Sequence, residues 1–190
     1  MVYFVALKEG IAMAKGKRKQ FFSVQDAREF YLCIDDLLQS EAVQSMKKFT
    51  QHGTTSTFDH CIVVAFRSFL FCKKFHLDYK AAARGGLLHD LFLYDWHDKQ
   101  TRSKLHGFYH PGIALKNAEN SFSLTDKERE IIKKHMWPLT VIPPTCREAY
   151  IISYYDKVCT SREVVVEWGG ALLKAFNLLK TTKSETRDKI

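Results

Sequence analysis

The chain has 190 residues, 46% of them hydrophobic and 26% charged, the balance of a folded globular domain that at this length buries roughly 70% of its unfolded surface without needing disulfides. Its 14 Phe, 8 Tyr and 3 Trp exclude disorder throughout, and no apolar run approaches the ~20 residues of a membrane-spanning helix. The formal net charge is +8, with one dense basic run at Lys15, Lys17, Arg18 and Lys19; a mildly positive body suits an anionic ligand.

In chain order, residues 1–22 read as a loosely attached N-terminal segment that ends in the basic run. Ser23 is placed as an N-cap with Asp26 three residues on, starting a helix to about Leu38. Ser40 starts a second helix through Phe49. Residues 51–57 around Gly53 read as a loop, and apolar residues at helical spacing (Ile62, Val63, Phe66, Phe69, Leu70) predict a long helix over 58–75. Asp78 caps a helix over 79–93, and residues 94–107 are a loop or a broken helix. Pro111 suits the first turn of a helix over 111–120. Thr125 to Glu128 has the form of a capping box and starts a helix to about Met136. Residues 137–144, with three of the four prolines, form a loop. Helices follow over 146–160 and 162–180, and residues 181–190 fray. No period-two strand or hairpin turn is apparent. The expectation is an all-α fold in which residues 23–180 form one helical unit.

Five cysteines, an odd number with no C-x-x-C pair, point to buried free thiols in a reducing compartment. Lys8 and Glu9 interrupt the apolar start, so no secretory signal is evident, and the expected location is the cytoplasm.

The unusual feature is the histidine and aspartate content of the middle of the chain. His89-Asp90 follows Gly85-Gly86-Leu87-Leu88 and precedes Leu91-Phe92, a polar dyad within an apolar stretch. Burying an imidazole and a carboxylate there costs several kcal/mol unless something pairs them, and a divalent metal is the economical partner. His60 has Val63 and Val64 one turn on, His135 has Ile131 and Ile132 one turn back, and Asp156 follows Ile151-Ile152. Four helices can thus each bring an imidazole or carboxylate to a shared interior, as helical metal sites do.

With His110-Pro111 added, the ordered set His60, His89-Asp90, His110, His135 and Asp156 resembles the HD-domain metal-dependent phosphohydrolase superfamily, as do the local surroundings Leu87-Leu88-His89-Asp90 and Asp156-Lys157. The resemblance spans roughly residues 50–160. It departs from the common form after the dyad, where Leu91-Phe92 stands in place of Ile-Gly. It implies an HD-domain helical bundle with a metal site in its interior. His60, His89, Asp90 and Asp156 would hold a first divalent ion, and His110 and His135 a second, with Asp90 bridging. Such ligands suit iron, manganese, zinc or cobalt. The activity implied is hydrolysis of a phosphate ester, of a nucleotide or similar small molecule, by a metal-activated water.

Lys157, Lys99, Arg102 and Lys104 are candidates for the cation that binds phosphate. His52 can line the site or protonate a leaving group. His106 is four residues before His110, but Gly107 and Pro111 argue against one continuous helix, so His106 reads as a residue of the cleft. Two other readings compete: a nucleotide-sensing module without turnover, and a helical protein that binds nucleic acid through the Lys15–Lys19 run. The intact ligand set weighs against the first, and the lack of any base-reading pattern weighs against the second.

Overall fold

The computed structural model describes residues 22–95 and 105–161, apart from the side chain of His52. The Lys15–Lys19 run, the helix expected over 162–180 and the frayed end expected over 181–190 lie outside the described residues. Among those described, the fold is all-α with one small hairpin. Helix α1 (Val24–Leu38) starts where expected. Ser23 Oγ accepts from the Asp26 backbone N–H at 3.0 Å, and the Asp26 carboxylate accepts from the Ser23 N–H at 2.9 Å. Its buried residues Phe30, Cys33, Ile34 and Leu37 keep the helical period. Helix α2 (Glu41–Ser45) is shorter than expected, because the chain tightens into a 3-10 turn over Met46–Lys48.

The loop expected around Gly53 is instead a hairpin. Strands β1 (Thr50–His52) and β2 (Thr55–Ser56) pair antiparallel with an irregular register. Gly53 turns the chain at φ 56°, a left-handed conformation that glycine adopts without strain. With strands of three and two residues, no period-two pattern has room to develop. Ser56 then caps α3 (Thr57–Lys74), accepting from the Asp59 N–H at 3.1 Å. Asp78 caps α4 (Tyr79–Leu88) in the same way through Ala81. Helices α5 (His106–Ser121) and α6 (Asp126–Lys134) follow, and α6 carries the expected Thr125–Glu128 capping box. A last helix, α7, occupies residues 147–161.

Helix α4 lies at the centre, and two adjacent glycines set how closely its neighbours approach. A Cβ on Gly85 would meet Ile131 of α6 at 2.7 Å. One on Gly86 would lie 2.9 Å from both the Ala65 backbone of α3 and the Ile152 side chain of α7. Three helices therefore close on α4 where it has no side chains. Arg84 fastens the same helix from its other side: Nε donates to Glu128 of α6 at 2.8 Å and a terminal nitrogen donates to Asp36 of α1 at 2.6 Å. Glu128 both caps α6 and holds α4 in register with it.

This packing predicts opposite outcomes for two Gly→Ala changes. Gly86→Ala pushes a methyl into the α3 backbone and is expected to cost roughly 1–3 kcal/mol, the usual penalty of overpacking. Gly112→Ala, on the exposed side of α5 with nothing within 4 Å of the added atom, is expected to stabilise by about 0.5–1 kcal/mol. Urea denaturation of both variants measures this. A Gly86→Ala protein as stable as the parent would show that the helix contact is slack.

Candidate metal centre

Helix ends place most of the polar cluster. Helix α4 stops at Leu88, earlier than expected, so His89 is its C-cap and Asp90 lies in the turn just beyond. His135 is likewise the C-cap of α6. The last carbonyls of a helix have no intrahelical donor, and both rings use one: Nδ1 of His89 lies 2.7 Å from the Gly86 carbonyl, and Nδ1 of His135 lies 2.8 Å from the Ile132 carbonyl. On α5, Nδ1 of His110 lies 3.0 Å from the His106 carbonyl. A carbonyl only accepts, so each Nδ1 carries the hydrogen, and in the neutral ring each Nε2 is a bare lone pair.

Those lone pairs converge. His110 Nε2 is 2.8 Å from His135 Nε2, and both approach Asp90 Oδ1, at 3.1 and 3.4 Å. His89 Nε2 lies 3.5 Å from Asp90 Oδ2 and 3.8 Å from Asp156 Oδ1, while His60 Nε2 on α3 lies 3.2 Å from that same Asp156 oxygen on α7. All six residues are buried. Yet His89 Nε2 and Asp90 Oδ1 make no aligned hydrogen bond among the described residues. Two imidazole lone pairs facing each other at 2.8 Å, next to an orphaned carboxylate oxygen, repel unless a cation or proton lies between them. The donor set therefore fits a divalent ion. Three overlapping groups have all their ligand atoms within 4.8 Å of one another: His60, His89 and Asp90; His89, His135 and Asp156; and Asp90, His110 and His135.

The electrostatics run the same way. Burial alone would raise the Asp90 and Asp156 carboxyls. For Asp90 the surrounding His89, His110 and His135 reverse this, and for Asp156 His60 and His89 do, so both are held well below the usual carboxylate range. Burial pushes His135 down, whereas at His89 burial is outweighed by the neighbouring Cys61, Asp90 and Asp156, which push the ring up, toward the charged form that a bound cation would displace.

All six residues proposed from the sequence as metal ligands meet in one cluster. The dyad, expected inside a helix, lies at the end of one. The break expected between His106 and His110 does not occur. Helix α5 runs through Gly107 and Pro111: the proline forfeits the bond to the Gly107 carbonyl, and Gly107 has no side chain where Leu139 approaches the helix. His106 stacks on His110 with centroids 4.6 Å apart, and its Nδ1 is 2.8 Å from the Tyr94 hydroxyl. Phe92, buried, packs edge-on against both rings.

Lys157 is beside the cluster, but its ammonium donates to the His135 carbonyl at 3.1 Å and to the Ser153 carbonyl and hydroxyl at 3.2 and 2.9 Å, and it lies 3.9 Å from Asp156. Burial lowers its pKa. These contacts fasten the α6 terminus that carries His135 to α7. Lys99, Arg102 and Lys104 lie outside the described residues, and so does His97. His52 lies on β1.

Gln51, next to it, escaped the sequence reading. It is buried, and its Nε2 donates to Asp90 Oδ2 at 2.7 Å. One polar residue in a seven-residue loop carries no periodic signal that would have singled it out.

Comparison with protein-family models, curated proteins and solved structures gave no match. No helix among the described residues is long and apolar enough to cross a membrane.

Among the described residues Asp90 is the one carboxylate that touches the His110–His135 pair, so Asp90→Ala is expected to lose all bound metal and His110→Ala to keep part of it. Elemental analysis of the purified variants measures this. An Asp90→Ala protein with the parent's metal content would refute the central place given to Asp90.

Proposed function

We propose that this chain is a metal-dependent phosphohydrolase of the HD-domain superfamily, cleaving a phosphate ester of a nucleotide or similar small molecule. The observation that carries the reading is the meeting of His60, His89, Asp90, His110, His135 and Asp156, in the order that family uses, with three imidazole lone pairs turned toward Asp90. His60, His89, Asp90 and Asp156 would hold one ion, and His110 and His135 a second, with Asp90 shared; iron, manganese, zinc and cobalt all suit such ligands. The chemistry such ions supply is acidification of water into a nucleophile near neutral pH and neutralisation of charge on a phosphoryl group.

The protein's own part is to present that centre from one side. The side chains of His60, His89 and His135 are sealed at 0–1% exposure, whereas those of Asp90, His110 and Asp156 keep 4–11%. A substrate would therefore approach over the edge they form. The Tyr94–His106 pair flanks that edge beside His110, and the net charge of +8 favours an anionic substrate. In this reading Lys99 and Arg102 contact phosphate, His52 serves the leaving group, and Lys157 holds His135 in place.

A hydrolysis screen over nucleotides, dinucleotides and simple phosphodiesters, with manganese or iron supplied and the products separated by chromatography (phosphate and alcohol from a monoester, a monoester and alcohol from a diester), tests the proposal. Turnover is expected with the parent and is expected to fall by at least ~100-fold in His89→Ala. A parent that loads metal, binds nucleotide and hydrolyses none of these esters would overturn hydrolysis in favour of nucleotide sensing.

A second expectation concerns pH. Metal binding needs neutral imidazoles, whose ordinary pKa is about 6.5. Protons compete as pH falls, while Asp90 and Asp156 stay ionised to strongly acid pH. Stabilisation by metal is therefore present at neutral pH and lost on mild acidification. In thermal melts, a chelator should lower Tm clearly at pH 7.5 and little near pH 5. An equal chelator effect at both values would contradict a histidine-rich centre.

A further inference from the structure

The hairpin that opens toward the cluster has a specific contact with it. Gln51 Nε2 donates to Asp90 Oδ2 at 2.7 Å across 39 residues of sequence, and Gln51 is 8% exposed. Its amide cannot be turned over. A flipped amide would set Oε1 against the Asp90 carboxylate, and Thr57 Oγ1, on the first turn of α3, lies 3.2 Å from both Gln51 Oε1 and the Phe49 carbonyl, sharing its hydrogen between them. The hairpin is itself anchored, because the Thr57 N–H donates to the Phe49 carbonyl at 2.9 Å. The two oxygens of Asp90 are thus made unequal: Oδ2 is taken by an amide donor, and Oδ1 faces His110 and His135 without an aligned partner.

We infer that Gln51 is a positioning residue of the metal centre: it fixes the rotation of the Asp90 carboxylate so that Oδ1 is presented to the ion shared with His110 and His135, and Thr57 fixes Gln51. The inference rests on the metal-centre reading above. Partners that orient a ligand typically contribute 10–100-fold to metal affinity, and an amide does so here without adding charge beside the carboxylate. Gln51→Leu keeps the approximate volume and removes the donor, leaving Oδ2 with His89 Nε2 at 3.5 Å as its nearest polar neighbour among those described.

The test titrates the parent, Gln51→Leu, Thr57→Val and Thr57→Ser with Co2+, reading the dissociation constant and the visible absorption band, with far-ultraviolet circular dichroism as the control for folding. Gln51→Leu is expected to bind Co2+ about 10–100-fold more weakly, with a shifted band. Thr57→Val is expected to change both in the same direction but less, and Thr57→Ser, which restores the hydroxyl, to match the parent. Folded Gln51→Leu protein with the parent's affinity and band overturns the inference. Should Gln51→Leu fail to fold, Thr57→Val decides: it touches no proposed ligand, and parent-like binding by it overturns the inference equally. A parent that binds no Co2+ refutes the metal-centre reading itself, an outcome distinct from either.

Discussion

A carboxylate buried to the extent of Asp90 is stable only if its surroundings supply positive charge or donors, since an unpaired one costs several kcal/mol or gives up its charge. The protein surrounds it with three imidazoles, and these do not act as ordinary donors. Each has committed its N–H to a backbone carbonyl and turns a lone pair inward. Among the described residues one genuine donor from a neighbouring element reaches Asp90, the Gln51 amide, and it satisfies a single oxygen. The cluster is therefore incomplete as a hydrogen-bonded network, and its donor atoms could hold a metal ion.

The tautomers behind that distinction follow from where helices stop. His89 and His135 are C-caps, and the carbonyls that fix their Nδ1 hydrogens are among those a helix end leaves over. The rings can point at one another only because α3, α6 and α7 come close enough to α4, and Gly85 and Gly86 permit that approach. A side chain at Gly86 would force apart α3, which holds His60, and α7, which holds Asp156. The 3.2 Å pairing of those two residues thus depends on a position one turn away from the dyad. Arg84 and Lys157 add polar fasteners at the two ends of α6, through Glu128 and the His135 carbonyl.

Much of this was legible in the sequence. The all-α class, the Ser23 and Thr125 caps, and five of the six residues that meet were readable because each produces a local signal, a capping pattern or a polar residue on an apolar face, whereas His110 came from the family resemblance alone. Three features were not readable. The end of α4 at Leu88 is invisible because Leu91 and Phe92 continue the apolar stretch, although they pack beyond the helix. The continuity of α5 overrode the usual meaning of Pro111, which forfeits a single backbone bond, and of Gly107, whose missing side chain admits Leu139. The hairpin was missed because strands of three and two residues carry no period, so Gln51 was missed with it. In each case the deciding contact is between residues close in space but silent in sequence.

The hairpin's presence in an otherwise helical fold has a geometric reason. Helices deliver side chains to the cluster from their ends or along one face, and α3, α4, α5, α6 and α7 already occupy the directions from which His60, His89, His110, His135 and Asp156 arrive. The donor for Asp90 Oδ2 enters between the start of α3, which carries Thr57, and the turn after α4, which carries Asp90. The extended strand β1 brings Gln51 there while its end is tied to Thr57 at the first turn of α3. The charge balance of the centre completes the argument. Asp90 and Asp156 are held ionised and contribute two negative charges, and imidazoles that bind metal do so as neutral rings. One divalent ion would neutralise those two charges. A glutamate at position 51 would add a third negative charge beside Asp90, whereas a glutamine donates to Asp90 without adding charge.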